Sequence, residues 1–462
     1  MTETTHHNGS FWFDSLGDTE SPQVPGALPD QLDVAIVGAG FTGLWSAYYL
    51  KAKQPELAIG VFEAHRIGFG ASGRNGGWCM GTAEGLSAML QSDSERTEGV
   101  KLMRAMQNTV DEVGRVCQAE NIDCHYAKGG TLTIARYPHE VDAMKKAIDF
   151  KHSLGFSDDD FTWIPPEAAS KRLAARPNLG ASYTKHCAAI HPARLVRGLG
   201  DTVRAKGVEI FEDTPVLRIE PGTVTTRRGQ IKASKILRAT EGYTGSIAGH
   251  ARTLMPLYTH MIATEPLSDD TWQDIGLAHR ETFDDGRHLT IYGQRTLDNR
   301  LAFGGCLEYY FGSKLLPVMP ERHPNFERVE ASMKAMLPML KDVKITHKWG
   351  GLFGVPRRGR PFVQFDVETG IGAAGGYVGE GVGASNLAAR ILSDLTLERS
   401  TELTELAWAR ETPAVWPGEP LRWLGSHAVR LIGSQADASE ARTGRPSRWA
   451  GPLLGAVIGR FE

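Results

Sequence analysis

The chain has 462 residues, which is more than one hydrophobic core usually supports, so two domains are expected. Its 51 basic and 54 acidic residues form no block of like charge, which argues against a nucleic-acid partner. The five cysteines show neither CxxC spacing nor a metal-ligand pattern, so we predict no disulfide framework and no metal site, and we expect a cytoplasmic location.

The N-terminal third begins with an irregular segment and then becomes regular. Residues 1–30 carry three prolines and no periodic pattern, so they predict an N-terminal arm on the surface. This start lacks the basic and apolar regions of a signal peptide, and no transmembrane helix is predicted, so membrane contact is not expected. A strand over 34–37, a helix over 42–52 and a second strand over 58–62 follow, which predicts a βαβ unit.

Beyond the βαβ unit the pattern changes twice. Helical spacing of apolar residues begins near residue 97, and a strand is predicted over 129–136, which indicates a separate α+β insertion. The α/β alternation returns with a helix over 191–206, and strands dominate 251–349, one of them at 289–292. A last strand then precedes a second glycine-rich loop that runs into a helix.

A glycine fingerprint lies between the first strand and the first helix. It reads Gly38-Ala39-Gly40-Phe41-Thr42-Gly43. Gly38 suits the tight turn, Gly40 lets the backbone approach a pyrophosphate, and Gly43 lets the helix pack on the strand. The helix N-terminus is then available to phosphate charge. Glu63 ends the second strand, where it is placed to accept hydrogen bonds from a ribose 2′-OH. The fingerprint predicts a dinucleotide but does not choose between NAD and FAD.

Four further motifs decide between the two nucleotides. They are Gly68-Phe69-Gly70-Ala71-Ser72-Gly73-Arg74-Asn75-Gly76-Gly77, then Ala188-Ala189-Ile190-His191-Pro192, then Ala239-Thr240-Glu241-Gly242, and finally Gly375-Gly376-Tyr377-Val378-Gly379-Glu380-Gly381-Val382. In this order they resemble the FAD-dependent D-amino acid oxidase and glycine oxidase superfamily. Trp349-Gly350-Gly351 and the late Pro420-Leu421-Arg422-Trp423-Leu424 are most similar to its γ-glutamylputrescine oxidase-like branch.

The resemblance implies an α/β fold in two interleaved parts. One is a discontinuous Rossmann-like FAD-binding domain, and the other is an inserted α+β substrate domain dominated by a mixed or antiparallel sheet. The FAD-binding domain is predicted over 31–96, 185–250 and 350–400. The substrate domain is predicted over 97–184 and 251–349, and a C-terminal tail over 401–462. Such a tail more often docks on its own protein or on a neighbouring subunit than on a membrane.

The resemblance also implies the cofactor and its contacts. Relatives with covalent flavin use a cysteine or a histidine at places that read Gly350-Gly351-Leu352 and Trp78-Cys79 here, so we predict non-covalent FAD. The predicted FAD contacts are Gly38, Ala39, Gly40, Phe41, Thr42, Gly43, Glu63, Ala64, Ala71, Ser72, Gly73, Arg74, Asn75, Gly76, Val216, Thr240, Gly242, Gly351, Gly376, Tyr377, Gly379, Gly381 and Val382.

The substrate side rests on aromatic and basic residues of the inserted domain. Aromatic walls suit an amine held over a flavin ring. The candidate catalytic and substrate residues are Arg74, Tyr258, His260, Tyr292, Arg295, Trp349 and Tyr377. Sarcosine-oxidase relatives hold a substrate carboxylate with a lysine just past the second glycine of the closing loop. Gly381-Val382-Gly383-Ala384 stands there in this chain, which puts a small α-amino acid substrate in doubt.

The expected activity is oxidation of the C–N bond of an amine or amino acid to an imine, with water hydrolysing the imine and O2 giving H2O2. Two alternatives stay open. One is a dehydrogenase that passes electrons to a quinone or carrier, and the other is a flavin-binding protein without turnover. Four properties stay open at this point: the particular amine, the electron acceptor, the stereochemical preference and the oligomeric state.

Overall fold

The computed structural model describes residues 9–17 and 26–459. The helices are α1 Phe11–Asp14, α2 Phe41–Lys53, α3 Leu86–Gln91, α4 Arg96–Ala119, α5 Pro138–Ser153, α6 Pro166–Arg172, α7 Pro192–Ala205, α8 Asp269–Ile275, α9 Pro324–Met336, α10 Gly381–Thr396, α11 Leu421–Thr443 and α12 Ala450–Gly459. The strands are β1 Gln31–Val37, β2 Ile59–Phe62, β3 Trp78–Met80, β4 Thr131–Ile134, β5 Thr162–Ile164, β6 Ala181–Thr184, β7 Cys187–Ala189, β8 Glu209–Phe211, β9 Val216–Glu220, β10 Thr223–Thr226, β11 Gly229–Arg238, β12 Met255–Thr264, β13 Thr282–Asp285, β14 Tyr292–Arg295, β15 Leu301–Glu308, β16 Ile345–Val355, β17 Phe362–Asp366 and β18 Ile371–Gly375.

The first sheet carries the predicted βαβ unit. Its strands run in the order β17-β18-β11-β1-β2-β8, with the β9 and β10 hairpin attached to β11. β1 pairs in parallel with both β11 and β2, so Val37 lies between Arg238 and Phe62 at the carboxyl ends of these strands. Helices α2, α7 and α10 pack on one face because their apolar side chains, such as the fully buried Leu44 and Leu387, point at the sheet. A mixed α/β fold was predicted, and it is confirmed.

The second sheet is mixed and has the order β16-β12-β15-β14-β13-β4-β6-β5. All its pairs are antiparallel except β13 with β4. Side chains alternate between its two faces. One face packs under α9 through Phe326 and Met333, and the other faces the first domain through Met261 and Ala263. The region between the two sheets is therefore lined by alternate residues of the second sheet.

Two predicted boundaries differ in the structure. Residues 97–119 were assigned to the substrate domain, but α4 packs on α10 in the first core, where Met106 and Val113 are fully buried. The predicted strand at 289–292 is displaced, because the β14 strand starts only at Tyr292. The Asp437 carboxylate of α11 accepts hydrogen bonds from the backbone N–H groups of His288 and Leu289, so these groups join α11 instead of the sheet ladder.

The N-terminal segment is not a surface arm where the structure describes it. Helix α1 buries Phe11, Trp12 and Phe13, each at most 3% exposed. Burying a large apolar side chain contributes about 1.5–3 kcal/mol to the free energy of folding. Three such side chains in a row therefore stabilise the buried position of this segment. The prediction of a surface arm is wrong for residues 9–17, while residues 1–8 and 18–25 lie outside the described part of the chain.

The C-terminal segment contains two helices. Helix α11 lies on the second domain through its small and polar face, where Gly433 and Ala436 are buried and Arg430 pairs with Glu308 at 3.3 Å. Across residues 9–17 and 26–459, no helix combines the length and the apolar character that crossing a bilayer would require.

Candidate active site

A cleft of about 460 Å³ lies between the two sheets. It starts at the carboxyl ends of β1, β2 and β11, which is where open α/β sheets bind ligands. The predicted FAD contacts that line the cleft are Gly38, Gly40, Phe41, Thr42, Glu63, Ala64, Ala71, Ser72, Asn75, Val216, Thr240, Tyr377, Gly379, Gly381 and Val382. The fingerprint, the loop from Gly68 to Gly77, the motif at Thr240 and the closing loop at Gly379 therefore converge on one cavity.

The glycine fingerprint is shaped by backbone approach. Gly38 has φ +106°, and a methyl group there would lie 2.6 Å from the Ala239 carbonyl oxygen. A methyl group on Gly43 would lie 2.0 Å from the Gly38 carbonyl oxygen. Gly40 caps α2 and has no side chain to satisfy the first-turn amides. The N-terminus of α2 is thus exposed to the cleft and suits an anionic group.

Glu63 stands at the end of β2 and lines the cleft. Its carboxylate accepts hydrogen bonds from Ala39 N at 2.9 Å and from His65 N at 3.0 Å. Burial raises the pKa of Glu63 to about 6, against the lowering effect of these two amides. The carboxylate is fixed in place and keeps acceptor capacity for a ribose hydroxyl.

The loop from Gly68 to Gly77 is braced from both sides. Ser72 Oγ accepts from Phe41 N at 2.8 Å, which joins the loop to α2. On the other side Trp12 Nε1 donates to Asn75 O, and Ser10 Oγ donates to Gly73 O, both at 2.8 Å. The buried α1 therefore supports this loop from behind, a role that its local sequence did not indicate.

A second open helix N-terminus faces the same cleft. Gly379, Gly381 and Val382 at the start of α10 line it, and the Tyr377 hydroxyl lies 3.0 Å from Thr42 Oγ1. The half-buried Glu241 carboxylate accepts hydrogen bonds from Gly376 N and Tyr377 N at 2.8 and 3.0 Å. Glu241 was quoted only as part of a motif, yet it fixes the closing loop to the first sheet.

The other predicted FAD contacts lie just behind the cleft wall. Gly73 is covered by Phe13, Gly242 by Leu352, and Gly376 by Pro356. Ala39 is fully buried, and Gly43 supports the fingerprint turn. The remaining members of this group are Arg74, Gly76 and Gly351.

Arg74 and Tyr258 hold a strap that sequence reasoning missed. The Arg74 guanidinium donates from Nη1 to Pro317 O at 3.0 Å and lies 4.5 Å from the Phe69 ring. The Tyr258 hydroxyl accepts from Leu316 N at 2.6 Å. Leu316 and Pro317 line the cleft although they lie about 270 residues after the fingerprint, and no local signal marks them. Trp349 packs on the loop from Gly68 to Gly77, since its Nε1 donates a hydrogen bond to Arg74 O at 2.9 Å.

His260 and Arg295 are not brought to the cleft. His260 is fully buried on the α9 side of the second sheet, where it stacks on His323 at 4.6 Å, and burial lowers its pKa to about 4. Arg295 lies 4.6 Å from the Trp272 ring and donates to Asn299 Oδ1 at 2.6 Å. Both residues pack within the second domain.

Tyr292 does face the first domain. A methyl group on Gly76 would lie 2.7 Å from the Tyr292 ring, which places the ring against the loop from Gly68 to Gly77. The Tyr292 hydroxyl lies 2.9 Å from Thr259 Oγ1, and its ring is 6.0 Å from that of Trp78. Tyr292, Thr259 and Trp78 therefore form one cluster that packs against the loop from Gly68 to Gly77.

Comparison with known proteins identifies the family. The family model described as "DAO: FAD dependent oxidoreductase" matches residues 33–395. The chain belongs to this family. It is 30% identical over 375 residues to gamma-glutamylputrescine oxidoreductase of Escherichia coli (strain K12), covering 79% of this chain and 83% of that protein. It is 21% identical over 381 residues to glycine oxidase of Bacillus subtilis (strain 168), covering 79% and 93% of the two chains.

The solved structures agree on the fold of this DAO-family member. The crystal structure of glycine oxidase from Geobacillus kaustophilus has a TM-score of 0.69 at 18% identity, covering 83% of this chain and all of that one. L-proline dehydrogenase from P. horikoshii has a TM-score of 0.67 at 18% identity, covering 81% and 96% of the chains. The resemblance predicted from the motifs is confirmed, and the protein is an FAD-dependent oxidoreductase of a family whose members act on amines and amino acids.

The residues present fit FAD. The cleft offers two helix N-termini, whose N-cap residues make no side-chain capping bond, for the negative charges of pyrophosphate and reduced flavin. It also offers one fixed carboxylate for a ribose. Gly38 and Gly43 form turns that an added Cβ would fill. Apolar groups such as Val216 and Ile247 line the end that suits an adenine.

Proposed function

We propose that this protein is an amine or amino-acid oxidase. The substrate carbon loses a hydride while the lone pair of the adjacent nitrogen forms the C=N bond of an imine. Water then hydrolyses the imine. Amine, O2 and water thus give a carbonyl compound, the released ammonia or amine, and H2O2. Bound FAD supplies the hydride acceptor, and the protein supplies binding and orientation.

One observation supports the proposal above the others. The cluster of Tyr292, Thr259 and Trp78 packs on Gly76 in the loop that borders the nucleotide cleft. The proposed substrate chamber beside this cluster is therefore apolar and aromatic. An amine loses its proton more readily in such a chamber than in water, because burial disfavours the charged form. The paired hydroxyls of Tyr292 and Thr259 can then accept a hydrogen bond from the nitrogen or donate one to it.

The cofactor is proposed to be held without a covalent bond. Among the described residues that line the cleft there is no cysteine, and His65 stacks on Phe69 at 3.9 Å, two residues from Glu63, the predicted ribose contact. Acid denaturation should therefore release all flavin into the supernatant. Flavin that stays with the precipitated chain would contradict this.

The activity is tested on the flavin-loaded protein with a panel of amines, diamines, and L-, D- and N-methyl amino acids. Anaerobic addition of a substrate should bleach the flavin absorbance, and admission of air should restore it with one H2O2 per turnover. Bleaching without peroxide in air, followed by rapid reoxidation by a quinone, would show a dehydrogenase instead. Flavin that no amine bleaches would overturn the proposal.

A further inference from the structure

Two cysteine side chains meet at the C-terminal end of α4. The Sγ atoms of Cys117 and Cys124 lie 3.5 Å apart and share a hydrogen bond. Both residues belong to the first core, where they are 4% and 1% exposed. All five cysteines are free thiols in the structure, so this contact joins two thiols that have not formed a bond.

The backbone beyond α4 brings the second thiol back onto the first. Asn121 has φ +54°, the left-handed conformation that ends many helices and that asparagine adopts more readily than most residues. Ile122 N then donates a hydrogen bond to Cys117 O at 2.8 Å, and Cys124 N donates one to Ile122 O at 3.0 Å. The Cys124 carbonyl accepts from His191 N at 2.8 Å. Backbone hydrogen bonds on both sides therefore hold the two cysteines together.

Small polar molecules can reach the pair from solvent. An open pocket runs along the end of α4, and both Cys117 and Cys124 line it. The polar and charged residues of its lining are Asp111, Arg115, Gln118, Asn121, Asp123 and Lys128. The two sulfur atoms are thus covered by the core on one side and open to a water-sized reagent on the other.

The two thiols are not equivalent. Their shared hydrogen bond lowers the pKa of Cys124 against the effect of burial, and the backbone N–H groups of Cys124 and Tyr126 lower it further against the charge of Asp123. The same hydrogen bond, together with burial, raises the pKa of Cys117. Because the thiolate and not the thiol is the nucleophile, Cys124 is the member of the pair that reacts first.

The other three cysteines lack this arrangement. Burial raises the pKa of Cys79, Cys187 and Cys306, so their thiols keep their protons. Within residues 9–17 and 26–459, none of the three makes a hydrogen bond to another thiol. Oxidation should therefore select Cys124.

We propose that Cys117 and Cys124 are a thiol pair that peroxide oxidises to an intramolecular disulfide. The Cys124 thiolate attacks one peroxide oxygen, so an S–O bond forms, the O–O bond breaks, and hydroxide leaves and takes up the proton that Cys124 had lost. The Cys117 sulfur then attacks the sulfenic sulfur, so the S–S bond forms and the hydroxyl leaves as water with the Cys117 proton. Two thiols and one H2O2 thus give one disulfide and two water molecules. Both sulfur atoms are oxidised, and both peroxide oxygens are reduced.

The source of the peroxide rests on the proposed function, because an oxidase makes one H2O2 in each turnover. Without a second thiol, repeated attack would carry Cys124 to a sulfinic acid. Its negative charge would then lie in the core through which α4 packs on α10, where burial of an unpaired charge is costly. Closure of the disulfide prevents this, and a dithiol reductant returns both thiols.

The test maps the cysteines of the wild-type holoenzyme after a pulse of H2O2. Trypsin cleavage after Arg115 and Lys128 places both cysteines in one peptide, residues 116–128, so closure appears as the loss of two hydrogen atoms from that peptide. Thiol titration of the denatured chain should fall from five thiols to three, because closure consumes two. The pair should be oxidised about tenfold faster or more than any other cysteine. Dithiothreitol should restore all five thiols.

Two variants separate the roles of the two thiols. Cys117→Ser removes the thiol that closes the bond, so peroxide should leave Cys124 as a sulfenic acid that dimedone labels. Cys124→Ser removes the nucleophile, so Cys117 should stay reduced under the same conditions. Cys306→Ser is the matched control and should form the disulfide as the wild type does, because Cys306 lies outside the pair. The melting temperature of each variant before the pulse shows that it is folded, and the wild-type peptide map decides the proposal without them.

The thiol pair and the oxidase can fail separately. If added H2O2 gives no S–S bond within residues 116–128, or oxidises all five cysteines at similar rates, the thiol pair is wrong whatever the flavin does. If added H2O2 closes the disulfide in a protein whose flavin no amine bleaches, the thiol pair stands and the oxidase is wrong. Turnover of an amine in air should also close the disulfide, and catalase should prevent this. A disulfide that forms during turnover despite catalase would mean that free peroxide is not the oxidant and would overturn the proposal.

Discussion

The nucleotide end of the cleft and the part of the second sheet around Tyr292, called the sheet end below, are specified by different features of the sequence. At the nucleotide end, the contacts come from consecutive residues on a tight turn, where Gly38 has positive φ and an added Cβ would strike the backbone. At the sheet end, the neighbours of Tyr292 are Asp284 and Gly304, which strand pairing brings together from separate segments. A local motif therefore specifies the first end, whereas only the register of the second sheet specifies the other.

The largest effect is expected from the helix that braces the nucleotide end. Trp12→Ala removes an indole that is 1% exposed, together with its hydrogen bond to Asn75 O. It should lower the free energy of unfolding by about 3–5 kcal/mol. Trp12→Phe keeps most of the packing and should cost only about 1 kcal/mol or slightly more.

Urea unfolding of the holoenzyme measures both changes. Trp449→Ala is the control, because Trp449 is 41% exposed and its removal should stay within about 0.5 kcal/mol. A Trp12→Ala protein as stable as the control would mean that α1 does not support the loop.

The next effect tests whether backbone approach specifies the nucleotide end. Gly38→Val places a branched side chain at φ +106° and against the Ala239 carbonyl. Two penalties of about 1–3 kcal/mol each should weaken FAD binding by about a hundredfold or more. Flavin fluorescence titration of the apoprotein gives the affinity.

Gly155→Val is the matched control for that variant. Gly155 has φ +87° with nothing within 4 Å of an added Cβ, so the strain is present and the crowding is not. Equal FAD affinity of the two variants would show that the turn at Gly38 does not shape the cofactor site.

Much of the nucleotide end could be predicted from the sequence because its signals are local. The turn glycines, the helix start after Gly40 and the terminal acid Glu63 all lie within one βαβ unit, and the family assignment that they support is confirmed. Helix α2 was predicted over 42–52 and spans Phe41–Lys53. The placement of individual FAD contacts stays a prediction until a complex is measured.

The sheet end could not be predicted in the same way. Tyr258, His260 and Tyr292 are all aromatic residues on strands, and nothing in their local sequence says which face each one takes. Pairing of β12 with β15 and β16 turns His260 toward α9, whereas pairing of β14 with β13 and β15 turns Tyr292 toward the FAD-binding domain. The strap at Leu316 and the brace at Trp12 also depend on contacts that are long-range in the sequence.

A moderate effect is expected at Glu63. Glu63→Gln keeps the side-chain shape but removes the charge that would hold a ribose hydroxyl. It also replaces one acceptor oxygen by an NH2 donor, which cannot accept the hydrogen bond from Ala39 N or His65 N. FAD affinity should fall by about tenfold, the scale of one charge-assisted hydrogen bond. Fluorescence titration measures it, with the exposed Glu209→Gln as control. An unchanged affinity would exclude Glu63 from ribose binding.

The smallest effect is expected at Arg295, which the sequence analysis predicted as a substrate residue and which the structure places away from the cleft. Arg295 lies on the second sheet away from the cleft, with Asn299 and Trp272 as its partners. Arg295→Gln should leave the KM and kcat of the best substrate from the amine panel within about twofold, because losing a partly exposed contact rarely exceeds about 0.5 kcal/mol. Tyr292→Phe, which loses only the hydroxyl beside Thr259, should raise KM by about fivefold or more. If Arg295→Gln were the more damaging of the two, the substrate would lie on the opposite side of the second sheet, and the chamber beside Tyr292 would have to be abandoned.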